Sequence, residues 1–191
     1  MSIKVHNSKL TRDVPCDDMV HIIGFDPGGI TGWARFTFWP EAFSDPKEKI
    51  LMNVHSFAFG EISGSEDRQV DEMIGIVEAW PTSSDIIVED FILREFRRGR
   101  ELLSPVRITA SFKYAVRWVG LARRGKGREG GGDNPRLVIL QQPSLAKTCM
   151  TDQRLKDAGY YECTSGNPHA RDAVRHVLTW SRRKKEGYNF V

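Results

Sequence analysis

The sequence predicts one α/β domain built on a mixed five-stranded sheet, three antiparallel strands followed by two parallel ones, with helices packed on it. Three observations point there. The first third of the chain holds alternating apolar segments separated by turn signals; the remainder alternates short β-branched runs with helical periodicities. Finally, 191 residues with 40% hydrophobic content are enough for a sizeable core without disulfides or a structural metal.

Residues 1–19 mix charges, a proline and isolated apolar residues without a period, and read as a loose N-terminal arm with no assigned function, leaving 20–191 as the domain. Val20 to Phe25 is a short apolar strand, followed by the turn-rich DPGGITG and by WARFTFW, together a hairpin. Alternation returns in Ile50 to Ile62, a third strand after the Pro and Asp turn signals of EAFSDPKEK. Ser65 and the acidic residues behind it open a helix to Trp80, with Val70, Met73, Ile74, Val77 and Trp80 on one face. DIIVE, Asp85 to Glu89, is too short for a helix and rich in β-branched residues, as a buried parallel strand is. A second helix fits Ser104 to Arg123, and RRGKGREGGGDNP after it suits a basic loop. LVIL at 137–140 is a further buried strand, Pro143 to Lys147 starts a short helix, and His169 to Arg183 forms the last one. Trp33, Trp80, Trp118 and Trp180 are expected in the core, and no internal repeat or linker divides the chain.

Composition narrows the function. No run approaches the roughly 20 apolar residues that a membrane crossing needs, so a soluble, cytoplasmic protein is expected. Cys16, Cys149 and Cys163, an odd number without CxxC spacing, fit reduced thiols. Net charge is only +3, yet between Arg94 and Arg136 twelve Lys and Arg face four Asp and Glu, a local balance of +8 that leaves −5 for the rest. A basic block in an otherwise acidic chain suits phosphate neutralisation, although a solvated helix and loop would carry the same charges.

Phosphodiester hydrolysis by two metal ions needs several carboxylates converging from rigid elements. Asp26 ends the first strand and is followed by Pro27, Gly28 and Gly29; Glu89 ends DIIVE in the same way. If those strands are neighbours, both carboxylates open onto one side. His169 and Asp172, three apart at the start of the final helix, share one face. Each signal also has an ordinary reading: Asp26 as the first residue of a β-turn, Glu89 as a strand terminus, His169 with Asp172 as a cap and surface pair. His176 stands one and two turns further along that helix and is read as structural or solvent-facing, and His6, His21 and His55 are unassigned. The GxGxxG of Gly125 to Gly130 follows a helix and precedes a strand, the reverse of a dinucleotide site.

In combination these segments resemble the RuvC family of Holliday junction resolvases. IIGFDPGGITGWARF resembles its first motif, IIVEDF its second, QQPSLAK the segment after the fifth strand, and PHARDAVRHVLTW the last, in the family's order over residues 20–180. The resemblance, phage-type members included, implies an RNase H-like fold, a homodimer, two Mg²⁺ or Mn²⁺ ions per site and paired nicks in branched DNA, in the cytoplasm of a bacterium or of a phage-infected host. It implies Asp26, Glu89, His169 and Asp172 as catalytic metal ligands, and Lys147 beside the active site and the DNA. His169 departs from an all-acidic set, which bears on metal preference. FILREFRRGRELLSPVR departs in its arginine content, which bears on the substrate. Arg94, Arg97, Arg98, Arg100, Lys113, Arg117, Arg123, Arg124, Lys126 and Lys147 are the candidate DNA contacts, and Phe91 and Phe96 are junction wedges or core residues.

Three other functions are compatible with parts of this pattern. An RNase H-like nuclease on RNA–DNA hybrids shares the site, and a non-catalytic DNA-binding module shares the charge. An actin-like nucleotide-binding protein shares the Asp-x-Gly hairpin, but needs a second such loop and a second lobe that this chain lacks.

Overall fold

The computed structural model describes residues 4–7, 19–43, 53–81, 84–91, 103–124 and 138–185. The strands are β1 (Lys4–Asn7), β2 (Val20–Asp26), β3 (Ile30–Phe38), β4 (Val54–Ser63), β5 (Asp85–Glu89) and β6 (Val138–Gln141). The helices are α1 (Glu66–Glu78), α2 (Ser104–Arg124), α3 (Pro143–Cys149), α4 (Asp152–Asp157), α5 (Tyr160–Cys163) and α6 (Pro168–Lys185). They form one sheet of order β1-β4-β3-β2-β5-β6. β2, β3 and β4 pair antiparallel, and β5 and β6 add in parallel beside β2, as the sequence predicts.

At the far edge β1 pairs with β4, so part of the N-terminal arm is a sixth strand. Residues 1–3 and 8–18 of that arm lie outside the described residues, as does Cys16. The polar segment 152–163, given no structure above, forms α4 and α5, whose Leu155 and Tyr160 reach the core. Two widely spaced apolar anchors make no helical period on their own.

Alternation along each strand sorts the core into two layers. Ile22, Ala34, Phe36, Phe57, Phe59 and Ile87 face α6 with its Ala170, Ala173, Val174 and Val177. Ile23, Phe25, Trp33, Ala58, Ile86 and Val88 face α1 and α2, meeting Val70, Met73, Ile108 and Phe112. Both faces are covered, which is why β2 and β5 read as continuous apolar runs. Trp33 and Trp180 are buried, but Trp118, expected in the core, is 62% exposed. Ile108, Phe112 and Val116 take the inward face of α2, leaving Trp118 outside, stacked on Tyr114 with ring centroids 6.2 Å apart.

α6 lies close against the sheet because two glycines leave room for it. A Cβ on Gly32 would stand 2.0 Å from the carbonyl oxygen of His169, and one on Gly24 2.8 Å from that of Ala173. Farther down, Asp85 accepts hydrogen bonds from Trp180 Nε1 at 2.9 Å and Lys184 Nζ at 2.7 Å. The helix therefore descends obliquely from the end of β2 to the start of β5. No helix among the described residues is long and apolar enough to cross a membrane.

Candidate active site

Four strands, β2, β4, β5 and β6, run in the same direction and end at one edge of the sheet. Their registers place Asp26 opposite Gly32, Gly32 opposite Glu61, and Glu89 opposite Gln141. The pairing Phe25↔Val88, continued by one residue, brings Asp26 beside Glu89. One row thus crosses five strands: Glu61, Gly32, Asp26, Glu89, Gln141. Period-two alternation from Ile22, Phe59, Ile87 and the partly buried Ile139 puts the whole row on the α6 face.

The start of α6 sits on the middle of this row. His169 Nδ1 is 3.5 Å from Asp26 Oδ2, and the His169 backbone N–H donates to Glu61 Oε1 at 3.1 Å. That amide is one of the donors a helix leaves unpaired in its first turn, and a carboxylate there also meets the positive end of the helix dipole. Asp172, one turn on, is bound by the Arg175 guanidinium and has Lys147 Nζ 3.4 Å away. Arg175 is itself nearly buried, and reaches Asp152 and, at 3.1 Å, the carbonyl of Met150. One turn further, His176 Nε2 lies 2.8 Å from Glu89 Oε2 and Nδ1 2.6 Å from Gln141 Oε1.

Electrostatics mark Asp26 as the centre. Burial pushes its carboxyl up to about 6; the His169 hydrogen bond opposes this, the charges of Glu89 and Asp172 add to it, and His176 opposes it. His169 is raised in turn, first by its hydrogen bond to Asp26, against the effect of burial, and then by the charges of Asp26, Glu61 and Asp172. Behind Asp26, the buried Gln69 accepts from Thr31 Oγ1 at 2.5 Å and donates to the carbonyls of Gly29 and Gly64 at 3.3 and 3.1 Å. The glycine turn after Asp26 is thereby tied to α1.

Asp26, Glu89, His169, Asp172 and Lys147 are thus brought together as the sequence predicts. Among the described residues, no three His, Cys, Asp or Glu side chains close around a point as a cage for an ion. Asp26, Glu89 and Asp172 are each turned to a nitrogen partner, His169, His176 and Arg175 respectively.

Sequence reasoning missed Glu61, Gln141 and Arg175, and read His176 as structural or solvent-facing. His176 is 1% exposed, which removes the solvent-facing reading. Glu61 was reachable by counting alternation from Phe57 and Phe59, but Gln141 needed the register of β5 with β6.

The candidate DNA contacts divide differently. Lys113 and Arg117 are exposed on α2, in the layer opposite α6. Arg123 and Arg124 are in α2, but their side chains, together with Arg94, Arg97, Arg98, Arg100, Lys126 and Phe96, lie outside the described residues. Phe91 follows β5 and is partly buried.

Among solved structures, the chain is similar to T. thermophilus RuvC in complex with Holliday junction substrate, with a TM-score of 0.51 and 15% identity, over 88% of this chain and 97% of that one. The fold is RNase H-like. At this identity the likeness carries the fold alone. No protein-family model and no curated protein sequence matches the chain. In this RNase H-like frame, Asp26 and Glu89 lie on the first and fourth of the five predicted strands, at the edge where the final helix begins.

Proposed function

We propose that this chain is a divalent-metal-dependent endonuclease that nicks branched DNA such as Holliday junctions. The observation that carries the reading is the row itself: Asp26 and Glu89 side by side on one face, with His169 and Asp172 over them from α6. A carboxyl raised by burial and by two neighbouring carboxylates is a position where a divalent cation offers a large electrostatic gain. The donors are hard oxygens with one imidazole, a set that suits Mg²⁺ or Mn²⁺. Asp26, Glu89, Asp172 and His169 would hold two ions, which supply an activated water and stabilise the leaving oxygen when bound.

The chain's own residues do the positioning. Asp26 and Glu89 stand on paired strands and Asp172 is clamped by Arg175, so the donors are mounted rigidly. His169 meets Asp26 through Nδ1, leaving Nε2 as the nitrogen with which it would meet an ion or a water. Lys147, exposed beside Asp172, is placed to bind a phosphate next to the scissile bond. The basic segment that follows Glu89 supplies further phosphate contacts in this reading. A homodimer is part of the proposal, supported by α2, whose outward Val106, Tyr114 and Trp118 are exposed opposite its buried face.

The test is a cleavage assay on four-way, three-way, flap and duplex DNA and on an RNA–DNA hybrid, with Mg²⁺ or Mn²⁺. Nicking of branched DNA that Asp26→Asn abolishes without loss of DNA binding supports the reading. Cleavage confined to the hybrid reassigns the substrate, and no cleavage of any of them overturns it.

A further inference from the structure

His176 and Gln141 belong to none of the roles assigned so far, yet both are almost fully buried at the end of the acidic row. The imidazole is held at both nitrogens, by Gln141 Oε1 at 2.6 Å and Glu89 Oε2 at 2.8 Å. An ionised Glu89 only accepts hydrogen bonds, so Nε2 carries the hydrogen that meets it. That holds whichever way the Gln141 amide is turned, since the amide offers Nδ1 either its oxygen or its NH₂. Gln141 is in turn fixed by its place on β6, paired with Glu89 itself, and His176 by α6.

We propose that Gln141 and His176 are positioning residues that hold the Glu89 carboxylate by one oxygen and so aim the other at the cation site beside Asp26. The inference rests on the metal-dependent reading above. The geometry separates it from simple core filling: a glutamate at a strand end swings about two or three bonds, and the bond from Nε2 removes that freedom. Outer partners of this kind set metal affinity through the orientation of the ligand, and their loss commonly weakens it roughly 10–100-fold.

Side chains of different reach test the bond. In His176→Gln the amide nitrogen falls near the place of Nε2 and can still donate to Glu89. In His176→Asn it falls near Nδ1 and serves Gln141 only, and His176→Leu fills the space with no donor. Mn²⁺ binding by isothermal titration calorimetry and by EPR is the readout, with thermal melts in EDTA to confirm that each variant is folded. His176→Gln is expected within about threefold of wild type, whereas the Asn and Leu variants lose roughly 10–100-fold in affinity. Cleavage by these two should recover at saturating Mn²⁺, giving a shift in metal dependence rather than in limiting rate.

Wild-type affinity in the folded Asn and Leu variants overturns the proposal and leaves the nuclease reading standing, as does a Gln variant as weak as Leu. A wild-type protein that binds Mn²⁺ but cuts no nucleic acid defeats the nuclease reading, and the same variant series still decides the role of His176. A wild-type protein that binds no Mn²⁺ at millimolar concentration overturns both.

Discussion

Replacing Asp26 by Asn probes the site where its charges are most crowded. The carboxyl moves from its ordinary 3.8 to about 6 on folding, chiefly through burial. Between those values the folded chain holds more protons than the unfolded one, so metal-free stability falls as pH climbs through this window and stays low above it. His169, raised by Asp26, acts in the same sense: its contribution is present below about 6.5 and lost at higher pH. The Asp26 shift corresponds to about 3 kcal/mol at neutral pH. That figure is net of the hydrogen bond from His169, which opposes the rise. Asp26→Asn, which keeps the shape and removes the charge, should therefore stabilise the metal-free protein at neutral pH by about 3 kcal/mol, or roughly 6–12 °C in Tm for a chain of this size. Thermal melts in EDTA from pH about 4 to about 7.5 measure it, and the gap between variant and wild type should close towards the acid end. Mn²⁺ should then raise the Tm of wild type and leave the variant unchanged. A variant less stable than wild type at neutral pH, or a gap indifferent to pH, would refute the reasoning.

Gly32→Ala puts a methyl 2.0 Å from the His169 carbonyl oxygen, so α6 must shift; a loss of at least about 2 kcal/mol in urea unfolding and a weakened Mn²⁺ response are expected together. Glu61→Ala removes the acceptor for the His169 amide and should cost about 1 kcal/mol by the same measurement. Lys147→Ala, at an exposed position, should leave stability within about 0.5 kcal/mol while slowing cleavage at saturating metal by roughly a hundredfold. Arg175→Leu strips Asp172 of its guanidinium partner and should destabilise the fold by about 3 kcal/mol in denaturant titrations.

Asp26, Glu89, His169 and Asp172 were legible because each sits where a periodicity stops: two carboxylates at the ends of apolar strands, and a pair three apart at a helix start. The five expected strands were legible for the same reason, since alternation and β-branched runs are properties of the local chain. Glu61, Gln141 and His176 were not, because their partners are fixed by register between strands distant in sequence and by the tilt of α6 over them. Arg175 reads as one more surface cation until the α3–α4 connection folds over it. Trp118 failed in the opposite direction: apolar character predicts burial on average, and only the packing of α2 decides which of its two apolar faces meets the sheet. The sequence by itself determined which elements form and which acidic residues end them, because those follow from short-range sterics and hydrophobic period. Tertiary structure alone decided that Glu61, Gly32, Asp26, Glu89 and Gln141 line up in one row, because alignment across strands depends on hydrogen-bond register, and that α6 lies on that row, because two glycines let the helix come down onto the sheet.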